Sequence, residues 1–462
     1  MMRAGSLISR FLPACLAVAL IVAPQPAAAL SLEDEEELGR EFVTDVKKAF
    51  PLVEDEFATD YLNRLGDYLA GAVETKPFPF SFYMIPKNDL NAFAGPGGHI
   101  FFFTGLIESM DTVDELAAVA SHEMAHITAR HLSRRIEQAK KISMATLAGV
   151  LIGALVGGDA SQAIMIGSAA AGAQAQLAFS RTDERQADQL GFRYMRSSGF
   201  DPAAMIEVLE NMQSAQVYGT DKIPAYLRTH PTGPERMANM DSLLASGSPD
   251  AGTETEARLR SEFPVFRTLL SAQYGDPEAS RRRFESELEE NPDSPLAHFG
   301  LGLLDKEASE YDAAVTHLER SLKLGPDLLP IGSHLAEAYQ FTGRYKDAIP
   351  VLEAVLDGDP DNRKALFLLA TSYQNLDAYA RAARIYERLL TMERVREDVS
   401  YNLGLCYGRM DRLPLAHYHF GMFFKKTGKP AKARFHFDKA EELGRHDMEL
   451  VYKIRKARED LP

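Results

Sequence analysis

Two cysteines in 462 residues are too few for a disulfide scaffold. Positive charge is scarce as well. The 51 Lys and Arg against 66 Asp and Glu give a formal net charge of -15, so little is available to neutralise a nucleic-acid backbone. Long apolar runs are missing: the stretch at residues 11–22 falls short of the roughly 20 apolar residues that cross a bilayer. What is present is ordinary for a globular chain. Hydrophobic residues at 45% and charged residues at 25% exclude wholesale disorder, and the length predicts two or three domains.

The first residues read as a secretory leader. Arg3 and Arg10 supply the positive segment, Pro24 and Pro26 break the apolar stretch, and Ala27-Ala28-Ala29 offers a cleavage site. Leu12-Pro13-Ala14-Cys15 stands at the start of the apolar stretch instead of after it, which argues against lipidation. Loss of residues 1–29 removes two arginines and no acid, taking the charge from -15 to -17. It also leaves Cys406 alone, so the expected mature chain has no internal disulfide even in a compartment that permits one.

The expected fold class is mainly α: an α+β domain with a small sheet, then an α-solenoid. Ser31 and the acidic run at residues 33–37 suit a helix N-terminus. Phe57, Tyr61, Leu62, Leu65, Tyr68, Leu69 and Ala72 keep the spacing of an amphipathic helix. Phe78, Phe80, Phe82 and Met84 alternate as in a half-buried strand, and a second strand is expected over residues 99–104 after the glycines at 95–98. Helices fill the rest of a first domain at 30–244, and the small, polar and acidic residues 245–257 read as a linker. Beyond it, Pro292, Pro326 and Pro360 recur every 34 residues, the period of a tetratricopeptide repeat. Leu335, Ala336 and Tyr339, then Leu369, Ala370 and Tyr373, then Leu403, Gly404 and Tyr407 hold the same packing register, which predicts a repeat domain over 258–455.

Chemistry is carried by His122-Glu123-Met124-Ala125-His126. Thr112 and Glu115 form a capping box upstream, so this H-E-x-x-H lies on a helix, where residues four apart share a face. His122 and His126 can bind one zinc ion, with Glu123 beside the coordinated water. Ser180-Arg181-Thr182-Asp183-Glu184 supplies Glu184 as a third ligand, leaving a fourth position open as in catalytic zinc sites. Asp188, one turn later, would accept a hydrogen bond from a ligand imidazole.

H-E-M-A-H, S-R-x-x-E-x-x-A-D, the Asn91-Ala92-Phe93-Ala94 stretch and His230-Pro231 with Arg236 together resemble the zinc metalloproteases that include HtpX and the CAAX prenyl proteases. With a leader and C-terminal repeats, the resemblance narrows to the BepA-type periplasmic proteases of that family. It implies one Zn2+ per chain held by His122, His126 and Glu184, with Glu123 as general base. It further implies that His230 is a switchable fourth ligand or an oxyanion stabiliser and that Arg236 stands beside the site. The implied setting is the periplasm, the implied substrates are unfolded or misassembled polypeptides, and the implied partner is the outer-membrane β-barrel assembly machinery. A mainly non-proteolytic chaperone or scaffold acting through the repeats is the alternative.

Substrate is expected to pair with residues 99–104 as an edge strand. His131, five residues after His126, turns off the motif's face and is expected at the surface. His99 reads as a strand side chain and Cys406 as core packing. Residues 142–179 are apolar but split by Gly157 and Gly158, so they read as a buried or peripheral membrane-contacting hairpin, not a spanning pair.

Overall fold

The computed structural model describes residues 30–138, 179–218, 224–245, 249–325, 330–392, 396–459 and 461. The leader, Pro326 and nearly all of the 142–179 segment lie outside the described residues.

Ser31 caps α1 (Leu32–Ala49) by accepting from the Asp34 amide, with Glu33, Asp34 and Glu35 in the first turn. Asp55 caps α2 (Glu56–Ala70) in the same way, and the predicted apolar stripe of this helix, Tyr61, Leu62, Leu65 and Leu69, is fully buried. Three strands follow: β1 (Ser81–Ile85), β2 (Ala92–Ala94) and β3 (His99–Phe103). The first strand starts later than its alternating phenylalanines suggest, because Pro77 and Pro79 have no N–H to give a ladder.

Strand order is β1-β3-β2, with β1 parallel and β2 antiparallel to β3. The expectation that residues 99–104 form an edge strand is therefore wrong. β3 is central, and its side chains alternate between two cores: Ile100 and Phe102 join the main core, while Phe101 and Phe103 pack with Leu38 and Phe42 of α1. An unbroken I-F-F-F run is what burial on both faces requires. Ala92 to Ala94, just before the glycines, pair antiparallel with β3 as the outer strand β2. Gly98 turns the chain into β3 at φ 89°, where a Cβ would stand 2.3 Å from the Pro79 carbonyl oxygen.

After the short α3 (Thr104–Glu108), α4 (Val113–Thr128) runs through the centre of the domain with nearly every side chain buried. Around it lie α5 (His131–Gln138), α6 (Arg181–Ser197), α7 (Ala204–Tyr218), α8 (Ala225–Thr229) and α9 (Pro234–Leu244).

The next helix, α10 (Glu254–Tyr274), begins inside the stretch that reads as a linker. It docks on the first domain: the Tyr61 hydroxyl donates to the Leu259 carbonyl at 2.8 Å, and Arg260 pairs with Asp114. Helices from α11 (Pro277–Glu290) to α21 (Met448–Glu459) continue the array. Ser309, Gly343, Asp377 and Asp411 all take positive φ at equivalent turns, so the 34-residue period is written in the backbone as well as in the packing positions. Cys406 is buried in this array, as expected. Among the described residues no helix is long and apolar enough to cross a membrane.

Candidate metal centre

The capping box at the start of α4 forms as its sequence predicts. The Glu115 amide donates to Thr112 Oγ1 at 3.3 Å, and the Thr112 amide donates to Glu115 Oε2 at 2.9 Å. This fixes the helix on which His122 and His126 sit one turn apart. Their Nε2 atoms face each other at 3.0 Å.

A second capping box, Ser180 with Asp183, starts α6, which crosses α4 closely enough that a Cβ on Gly191 would stand 3.3 Å from the His122 backbone nitrogen. That approach brings Glu184 in. Its Oε2 lies 3.5 Å from His122 Nε2 and its Oε1 lies 3.5 Å from His126 Nε2. Potential ligand atoms of His122, His126, Glu184 and His230 all lie within 4.8 Å of one another, and all four residues are buried. Glu123 points to the same place, with Oε1 3.6 Å from His230 Nε2.

Asp188 stands where its spacing put it, with Oδ1 3.1 Å from His122 Nδ1. Arg236 donates from Nε and Nη2 to both Asp188 oxygens at 2.8 Å, and its Nη1 lies 2.7 Å from Glu184 Oε2. The structure thus brings together His122, Glu123, His126, Glu184, Asp188, His230 and Arg236.

The charges describe a site that favours a cation. Burial pushes the Glu123 carboxyl up to about 7, although His122 pulls it down. Burial would lower His122, but contact with Asp188 and Glu184 outweighs it and raises the imidazole to about 9. Asp188 is held near 2 because His122 and Arg236 overcome its burial. Burial lowers His230 to about 4. Oε1 of Glu184, both carboxylate oxygens of Glu123 and Nε2 of His230 are buried with no hydrogen-bond partner in the protein. Buried polar atoms are rarely left so unless something else satisfies them. Two imidazoles and a carboxylate converging on one point, with a third imidazole in reach, fit zinc.

His131 is the clear correction. It is 1% exposed, with Nδ1 3.0 Å from His126 Nδ1. The five-residue spacing misleads because the helix does not continue: Arg130 has φ 51° and turns the chain back before α5 begins. Two aromatic residues went unnoticed as well. Tyr226 stacks on His230 with ring centroids 4.3 Å apart, one turn before it in sequence, and Phe179 lies 3.9 Å from the His126 ring. The Y-x-x-x-H spacing held a signal for the first; the second carried none.

The family profile for Peptidase family M48 matches residues 57–244, which contain all of these groups. Residues 57–244 form a peptidase family M48 domain. Tetratricopeptide-repeat profiles match residues 272–328 and 342–400, so the M48 domain is followed by repeats. The chain is 34% identical over 215 residues to the beta-barrel assembly-enhancing protease of Yersinia pestis, covering 46% of this chain and 44% of that one. To the protein of the same name from Escherichia coli (strain K12) it is 28% identical over 306 residues, covering 64% and 61%. The mitochondrial metalloendopeptidase OMA1 of Bos taurus shares 29% over 170 residues, or 35% and 32%. The chain thus spans about half of the length of the first two relatives. M48 membership implies a metal, and the four-residue cluster is where the described residues could hold one.

Proposed function

We propose that the chain is an exported zinc-dependent endopeptidase that cleaves unfolded or misassembled proteins during outer-membrane protein assembly. The observation that carries the reading is the buried convergence of His122, His126 and Glu184 with Glu123 beside them. In this reading one zinc ion per chain is held by those three side chains. When bound, zinc supplies Lewis acidity and a water activated near neutral pH. Glu123 would receive the proton of the attacking water and return it to the leaving amine. His230 stands at the fourth position with an unpartnered Nε2, suited to closing the site until substrate arrives. Arg236 neutralises Glu184 and Asp188, so the ligand set does not repel itself.

An extended substrate would pair with an outer strand, and β2, which contacts α4, is the one beside the site. We place the protease unit at 30–244 and the repeats at 258–455, with cleavage of the leader after Ala29 and release to the periplasm. The names of the Yersinia and Escherichia relatives support a role in β-barrel assembly, with the repeats engaging the assembly machinery.

Glu123→Gln tests the mechanism. It should keep about one zinc per chain and lose roughly 10²–10⁴-fold in turnover of an unfolded protein such as casein. Glu184→Ala should lose the zinc. Unchanged cleavage by Glu123→Gln would sink this mechanism, and a Glu123→Gln chain that supports outer-membrane integrity as well as wild type would favour the chaperone or scaffold alternative.

A further inference from the structure

We propose that His131 is a positioning residue for the metal centre, setting the tautomer and ring angle of His126 through a relay anchored on α6. The proposal rests on the reading of His122, His126 and Glu184 as zinc ligands and adds a residue that no motif assigns.

The argument begins with proton inventory. An imidazole that offers the Nε2 lone pair to a metal carries its hydrogen on Nδ1, and that hydrogen needs an acceptor if the ring is to stay fixed. For His122 the atom within reach is Asp188 Oδ1, 3.1 Å away on α6. For His126 the atom within reach is His131 Nδ1, at 3.0 Å, with the two rings 4.8 Å apart at 77°. His131 can accept there only when its own proton sits on Nε2. That nitrogen lies 3.1 Å from Gln186 Oε1, a carbonyl oxygen that can only accept. The hydrogen bonds therefore run in one direction, from His126 to His131 to Gln186. Glu184, Gln186 and Asp188 all belong to α6, so one helix supplies a ligand and the backing of both imidazoles.

The backbone is shaped for this contact. Arg130 is a non-glycine residue in the left-handed region, at φ 51°. Its guanidinium donates to Glu35 Oε2 at 2.8 Å and to the Leu30 carbonyl at 2.8 Å. Glu35 is itself buried, so α1 pins the turn that aims His131 at His126. A residue that merely filled space would need neither the strained turn nor the directed relay.

The test is zinc affinity of the full chain, measured by competition with a chromogenic chelator, beside urea denaturation of the zinc-stripped proteins. His131→Leu should bind zinc about 10–100-fold more weakly with little change in stability of the stripped protein, the range typical of lost outer-shell partners. His131→Gln, which keeps an acceptor, should recover part of that loss. Casein turnover should fall in kcat more than it rises in KM. Equal zinc affinity in wild type and His131→Leu overturns the proposal. If His131→Leu does not fold, Gln186→Leu decides in its place: the side chain is exposed, so weakened zinc supports the relay and unchanged affinity overturns it. A wild-type chain that holds no zinc overturns the ligand reading itself, and the relay with it.

Discussion

Arg236 is the side chain on which the buried charges of the site depend. It is 8% exposed and reaches both Glu184 and Asp188, while His122 shares the same two carboxylates. Removing one partner from a buried ion pair leaves an uncompensated charge, which typically destabilises by about 3–5 kcal/mol. Arg236→Ala should therefore lower the unfolding free energy of the zinc-stripped protein by about that amount. Arg236→Lys should recover little, because an ammonium cannot reproduce the two-pronged contact with Asp188. Urea denaturation of the three proteins measures both effects, and a loss below about 1 kcal/mol for Arg236→Ala would show that the carboxylates are solvated after all. The H-E-x-x-H spacing, Glu184 and Asp188 were legible because a helix makes sequence spacing into geometry. His131 was not, since its placement depends on one residue at positive φ, and arginine is an unusual occupant of that region.

At the scale of elements, the site exists because α6 crosses α4 without a side chain between them. Gly191 is the contact point: an added Cβ would lie 3.3 Å and 3.4 Å from the backbone nitrogen and Cα of His122. Backbone of a buried helix cannot swing aside as a flexible side-chain end can. Gly191→Val should push α6 outward, carrying Glu184 and Asp188 away together, so zinc retention should fall even though no ligand is changed. Zinc content after gel filtration checks this; full retention would mean that the crossing has slack. The cost in fold stability should be about 1–3 kcal/mol, as for other overpacked cores. The same scale explains the misassigned strand. Residues 99–103 hold four consecutive apolar side chains, and that lack of alternation was the available sign of a strand covered on both faces. The stretch that reads as a linker overlaps the start of α10 for a related reason. Composition marks where a chain is polar, but Thr253 caps α10 from within that polar stretch, accepting from the Glu256 amide.

In the whole molecule the repeats are not an appendage beside the M48 domain. The main apolar core runs from Tyr61 and Leu65 of α2 through Phe266 of α10 to Leu335 and Leu369 of the repeats. A polar seam closes the same junction. Glu56 accepts from Arg363 Nε at 2.5 Å and from the Lys364 amide at 3.0 Å. Next to it His334 is fully buried, with Lys306 Nζ 3.1 Å and Lys364 Nζ 3.4 Å from Nδ1. Asp55 Oδ2 lies 3.8 Å from Nε2 of this histidine, and Glu337 Oε2 lies 3.8 Å from Nδ1. Burial, reinforced by the two ammonium groups, holds the imidazole down to about 4 from an ordinary value of 6.5. Between pH 6.5 and 4 the unfolded chain therefore binds a proton that the closed seam refuses, so acid weakens the seam in this window and has no effect above it. Glu337 acts in the same sense: burial would raise its carboxyl, but His334 and the lysines hold it below its ordinary value, so further stability is lost as pH falls below about 4.5. Hydrogen exchange, corrected for the intrinsic pH dependence, should accelerate in residues 56–70 and 363–375 on acidification from pH 6.5 to 4. His334→Leu should remove most of that acceleration, because no proton is left to refuse. Other histidines, the half-buried His419 among them, also resist protonation and act on global stability, so the readout has to be local to these two segments. An equally steep acceleration in His334→Leu would assign the pH response elsewhere and leave the seam as a fixed joint.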